Sequence, residues 1–187
     1  MKQLLTRRTV GLLALLVALA LVNLSVFQKE QQLAHGKVVY LDLAPVDPRS
    51  LMQGDYMTLS FAIGQENRRA FRRNDTNNDA SGEQAFSTAK TSVYYVVVTL
   101  DSQNKASYKA LFNGQDLAPN ELLLRYRIRH NIVHFATNAF FFQEGDAHHY
   151  EAARYGQFRV NKEGEPLLVA MYSNDLELLG PPEKAEL

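Results

Sequence analysis

Residues 10–27 read VGLLALLVALALVNLSVF, an apolar run interrupted only by Asn23 and Ser25. About 20 such residues match the ~30 Å hydrocarbon layer of a bilayer, so this run is directed to a membrane before it is available to any soluble core. Lys2, Arg7 and Arg8 precede it without an acidic residue. The positive-inside rule then places residues 1–8 in the cytoplasm, a transmembrane helix over 9–27, and everything from residue 28 outside. Ala18, Leu19 and Ala20 form a small-x-small pattern that a signal peptidase can read. The apolar run continues past Ala20, which favours an uncleaved anchor over a removed signal.

The remaining chain is the length of one domain. It holds no cysteine, which removes disulfides, thiol catalysis and thiolate metal sites together. The formal net charge is zero, so no overall field draws in nucleic acid, and an acidic partner would have to meet a local patch. Residues 28–36, QKEQQLAHG, are polar and read as a stalk. Residues 37–180 read as an extracytoplasmic domain, and 181–187 as a frayed tail.

Within that domain KVVYLDL, residues 37–43, has the β-branched and aromatic content of a strand. Asp47, Pro48 and Gly54 suit the cap, first position and left-handed stop of a single helical turn over 47–54. Met57, Leu59, Phe61 and Ile63 then alternate with Tyr56, Thr58, Ser60 and Ala62, the period of a half-buried strand. Residues 64–92 are poor in apolar side chains and read as a flexible insertion. VYYVVVTLD, residues 93–101, suits a strand covered on both faces, and ASYKALF follows it as a hairpin. Leu122, Leu124, Tyr126 and Ile128 oppose Leu123, Arg125, Arg127 and Arg129, a strand with one apolar and one mostly basic face; NIVHFAT continues it through a bulge. A helix of about three turns is expected over 144–156, followed by a closing hairpin with Gly164 in its turn. The predicted class is α+β and β-rich: a mainly antiparallel sheet or barrel-like domain with one short helix, preceded by a single N-terminal transmembrane helix.

Candidate chemistry is sparse. His130 and His134, four apart on one strand, would stand ~13 Å apart, and His148 and His149 would diverge on a helix, so no metal site is expected. Asp75, Asn77 and Asp79 imitate a calcium loop, but Ala80 and Phe86 stand where glycine and glutamate are required. No cofactor is expected either. Arg68, Arg69, Arg72 and Arg73 would share one side of a helix if their segment ordered, a candidate basic patch for lipid headgroups or an acidic partner. Ser50, with Lys105 or Lys109 as base, is the nearest approach to a Ser-Lys hydrolase of the signal-peptidase kind. The segment lacks the Met-x-Pro-Thr that those enzymes show after their serine.

Gly54-Asp55-Tyr56-x-x-Leu59-x-Phe61 resembles the signature of the GDYXXLXY protein family, with Phe61 in place of the final tyrosine. The approach APVDPRSLMQ and the segment FFFQEGDAHHYEAARYGQFRVNKEGEPLLVAMY are similar to the family's pattern as well. The resemblance implies a bacterial, membrane-anchored or exported protein, often encoded beside polytopic membrane proteins, with no established activity. Asp47, Arg49, Gly54, Asp55, Tyr56, Leu59 and Phe61 are the motif residues and the candidate interaction surface; as punctuation between strands they explain themselves without chemistry, and Tyr56 is the residue most easily spared for contact. The expected role is a non-enzymatic binding or accessory subunit of a neighbouring polytopic membrane protein, single-pass in the bacterial inner membrane with its C-terminal domain in the periplasm or outside. The alternatives are the Ser-Lys hydrolase and, from the nine tyrosines, an envelope binder of a small ligand or polysaccharide.

Overall fold

A computed structural model describes residues 2–44, 52–53, 56–75, 93–129 and 132–181. The chain divides into two compact units, Met1–Gly36 and Lys37–Leu187.

The first unit is one helix, α1, Lys2–His35. Its segment Thr9–His35 is long and apolar enough to cross a membrane; 27 residues at ~1.5 Å each span about 40 Å. Val10, Leu15, Leu19, Val22 and Phe27 are all more than half exposed, the state of side chains meant for lipid. Asn23 donates Nδ2–H to the Leu19 carbonyl at 2.8 Å, which satisfies the polar group inside the helix. The residues expected to form a stalk continue α1 as far as His35.

Among the described residues the second unit is built mainly of antiparallel strands, in three sheets. The first sheet joins the two ends of the domain: β1 (Lys37–Asp42) pairs with β9 (Tyr155–Val160), which pairs with β10 (Pro166–Tyr172) and then β11 (Leu178–Leu179). The second is small: β2 (Met52–Gln53), β3 (Tyr56–Thr58) and β8 (Ala139–Phe141). The third has the order β5 (Ala106–Leu111), β4 (Val93–Leu100), β6 (Glu121–Arg129), β7 (Ile132–His134). Val96, Val97 and Val98 are fully buried at consecutive positions of β4. Since neighbours in a strand point to opposite faces, both faces of β4 are covered, as its unbroken apolar run predicts.

Four expectations change. The alternation of Met57, Leu59, Phe61 and Ile63 holds in burial, but the ladder stops at Thr58 and Ile63 belongs to the first turn of the helix α2, Ala62–Asp75. The insertion expected to be flexible over 64–92 is therefore helical in its first part, and residues 76–92 lie outside the described residues. Few apolar residues mark this helix because only a narrow stripe is buried: Ile63 and Asn67, one turn apart, are covered, while α2 packs across β1, β5 and β7. The helix expected over 144–156 shrinks to a 3-10 helix at Asp146–Tyr150, where Tyr150 is held between Phe140 and Phe142 at ring distances of 5.1 and 5.3 Å. Lastly, residues 132–134 do not extend β6; they turn back on it as β7, pairing Ile128 with Val133 and Arg127 with His134.

The closing hairpin turns at Gly164, where φ is +74°. The carbonyl of Gly164 accepts the amide of Arg125 at 2.8 Å, and a Cβ added there would lie 2.8 Å from the Leu123 carbonyl oxygen. The turn is thus pressed against β6, with no room for a side chain on backbone that cannot yield. Gly164→Ala is expected to destabilise the domain by about 2 kcal/mol through the strained φ and the clash. Thermal unfolding followed by circular dichroism would show this as a fall in Tm of about 4 to 8 °C.

Candidate functional site

The signature straddles the β2–β3 pair. Gln53 is paired with Tyr56 and Met52 with Met57, so Met52 and Gln53 are strand residues and not the end of a helical turn. Asp47, Arg49, Gly54 and Asp55 lie outside the described residues, as does Ser50. The three described motif residues divide between two sides of the domain. Leu59 and Phe61 point inward at 6% and 5% exposure. The amide of Leu59 donates to the carbonyl of Asn138 at 2.8 Å, and the Phe61 ring meets Phe135 and Phe158 edge-on at 6.4 and 5.4 Å.

Tyr56 turns the other way. It is half-buried, and its ring lies 5.7 Å from that of Phe141, its direct partner across the β3–β8 ladder. Phe141 is 73% exposed. On the opposite face of the same ladder Met57 is buried, and its partner Phe140 packs against the core. The small sheet therefore has one apolar face inside the domain and a tyrosine–phenylalanine pair on the other.

Arg68 and Arg69 stand on α2, half-buried and exposed respectively, and positions 72 and 73 continue the same helix. At 3.6 residues per turn these four positions cover an arc of about 140° on the side away from Ile63 and Asn67. The side chains of Arg72 and Arg73 lie outside the described residues.

The bases considered for a serine nucleophile have other engagements. Lys109 is ion-paired with Glu121, and Lys105 Nζ sits 4.7 Å above the centre of the Tyr155 ring. The rings of His148 and His149 do not diverge as expected but lie 3.9 Å apart, with His148 Nδ1 3.0 Å from the Gly145 carbonyl. His134 faces Arg127 across the β6–β7 ladder, and His130 lies outside the described residues. Asp75 ends α2, while Asn77 and Asp79 lie outside the described residues.

Sequence reasoning did not single out a cleft of about 350 Å³ lined by Arg125, Arg127, His134, Asn138, Glu165 and Pro166. The signal was present in the basic alternate face of β6. What the sequence lacked was the folding back of β7, which sets His134 beside Arg127, and the press of the Gly164 turn, which brings Glu165 within 3.9 Å of Arg125. Tyr126, between the two arginines on β6, also borders the cleft, with its side chain on the core face of the strand, 2% exposed and stacked on Tyr94 at 5.5 Å.

A family model described as GDYXXLXY protein matches residues 18–171, more than half of the chain. No curated protein and no solved structure matches.

Burial pushes the Tyr126 hydroxyl up to about 12, with the neighbouring Asn67 amide pulling it the other way. Tyrosine in the unfolded chain ionises near pH 10, so between pH ~10 and ~12 the unfolded state binds fewer protons and stability falls as pH rises. Burial raises Tyr150 and Tyr172 as well, and both add to the same slope. Tyr126→Phe is expected to remove about 2 to 3 kcal/mol of this alkaline loss. Melting curves of the two proteins from pH 9 to 12 should converge as the pH rises, with the wild type falling more steeply.

Proposed function

The chain belongs to the GDYXXLXY family, and from that premise we propose that this membrane-anchored protein is an accessory subunit that grips a neighbouring polytopic membrane protein through the outward side of its signature hairpin. The observation that carries the reading is the Tyr56–Phe141 pair. An aromatic left 73% exposed, beside a second ring and on a sheet whose other face is already packed, adds only a cross-strand contact to the fold and leaves most of its area open to a partner. Tyrosine is among the side chains that concentrate binding energy at interface centres, and phenylalanine is enriched at interfaces, since both bring large rigid apolar area. The arginines of α2 supply a second, polar contact suited to lipid phosphates or acidic side chains.

The signature then performs two tasks with one short extended segment. Leu59 and Phe61 lock it to the core, and Tyr56, two residues from Thr58 at the ladder's end, is presented in a fixed register. A contact residue held this way loses little freedom on binding. In this reading α1 stays in the bacterial inner membrane and the domain lies in the periplasm or outside the cell, a placement supported by Lys2, Arg7 and Arg8 before the apolar run.

Two measurements test the proposal. Purification from detergent-solubilised native membranes is expected to bring down a stoichiometric polytopic partner with the wild type and to lose it with Tyr56→Ala/Phe141→Ala. The exposure of Phe141 predicts a change in domain stability within about 1 kcal/mol for its truncation, so melting of the variant serves as the control. Equal recovery of the partner from both, or no partner from either, overturns the reading. A C-terminal alkaline phosphatase fusion is expected to be active, and an inactive fusion with an active cytoplasmic reporter would reverse the assigned topology.

A further inference from the structure

We propose that the cleft between β6, β7 and the Gly164 turn is a binding site for a phosphate group. Three cationic or proton-donating side chains share one face of one hairpin. Arg125 and Arg127 are two apart on β6 and therefore project to the same side, with positions ~7 Å apart. His134 is the direct cross-strand partner of Arg127, which places the two Cβ atoms ~5 Å apart. The other face of β6, Leu124, Tyr126 and Ile128, is buried in the core, so the basic face cannot rotate away. Asn138 adds an amide to the wall, and the space enclosed is about 350 Å³, within the range of small-ligand pockets.

Charge favours an anion. Glu165 is the acidic side chain in the lining, and its carboxylate stands 3.9 Å from Arg125, beyond hydrogen-bond distance. It orients that guanidinium without saturating its five donors. Arg127 is exposed and forms no ion pair among the described residues. A carboxylate ligand offers two oxygens and is met by a single guanidinium fork. Two guanidiniums with an imidazole between their strand and the next suit the three or more oxygens of a phosphate.

The walls are built to stay in place. Gly164, pinned by the Arg125 amide, closes one side. Phe135, 1% exposed, and the hydrogen bond from Leu59 to Asn138 fix the other, with Ala136 held at a φ of +50° between them. That alanine lines the cleft between two residues that the family signature holds, Phe135 against the Phe61 ring and Asn138 by the Leu59 amide. The signature thereby shapes this cleft as well as the surface around Tyr56.

The full chain in detergent micelles, labelled with ¹⁵N, would be titrated with inorganic phosphate while chloride holds the ionic strength constant. Saturable amide shifts centred on residues 125–127 and 134–138 are expected. Arg127→Gln should weaken the apparent affinity about tenfold or more, with an otherwise unchanged amide spectrum reporting an intact fold, and Arg125→Gln should do the same. Arg69→Gln on α2 should leave it unchanged. The two sources of phosphate are separated by repeating the experiment in nanodiscs of phosphatidylcholine with and without phosphatidic acid. Shifts that require phosphatidic acid assign the group to a lipid headgroup, and shifts with inorganic phosphate alone assign it to a soluble ligand. Absence of saturable shifts in both, or equal weakening by Arg69→Gln, overturns the proposal.

Discussion

Phe61 is the point through which the sheets of the domain hold one another. Its ring meets Phe158 of the first sheet at 5.4 Å and Phe135, beyond the third, at 6.4 Å; Phe135 in turn meets Tyr126 at 5.8 Å, and Tyr126 stacks on Tyr94 of β4 at 5.5 Å. Each such pair is worth ~0.5 to 1.5 kcal/mol beyond the area it buries. Geometry matters more here than the sum. Gly156 in β9 leaves the space that Phe61 fills: a Cβ there would meet Phe158 at 3.1 Å and Phe61 at 3.5 Å. With a phenylalanine at this position no hydroxyl needs a partner in the core, which is why the departure from the family's tyrosine is well accommodated.

The packing of Phe61 gives the signature its two-sided character. Because side chains alternate along an extended strand, anchoring Phe61, Leu59 and Met57 inward leaves Thr58 exposed and Tyr56 turned to the Phe141 side of the ladder. The same anchor reaches the cleft through Asn138, which receives the Leu59 amide. A surface and a cavity on different parts of the domain are thus set by one short segment, and a change in that segment moves both.

The sequence was most legible where a strand repeats its period without interruption. Val96, Val97 and Val98 announced a doubly covered strand, and the alternation of Leu122, Leu124, Tyr126 and Ile128 gave the inward face of β6. It was least legible where few side chains decide. The helix α2 buries so narrow a stripe that its arginines and polar residues masked it. The turn between β6 and β7 carries no glycine or proline to mark it, so three residues of returning strand read as a continuation. For the same reason the cleft was invisible: Arg125, Arg127 and His134 come together only through a pairing that no local pattern encodes. Tyr56 could be proposed for contact from the motif, but its companion Phe141 lies far along the chain and is joined to it by the ladder alone.

The first sheet has a further consequence for how the domain comes into being. β1 follows α1 directly, yet its ladder partner is β9, with Lys37 opposite Val160 and Asp42 opposite Tyr155. While the chain is being made, β1 emerges first, and although Tyr40 bridges to Lys105, the edge that β9 covers stays open until nearly the whole domain has followed. Contacts so distant along the chain form slowly and leave an unpaired strand exposed in the interval. The asparagine-, aspartate- and arginine-rich stretch made meanwhile adds little apolar surface to that waiting intermediate. Pairing with β9, itself backed by β10, closes that edge.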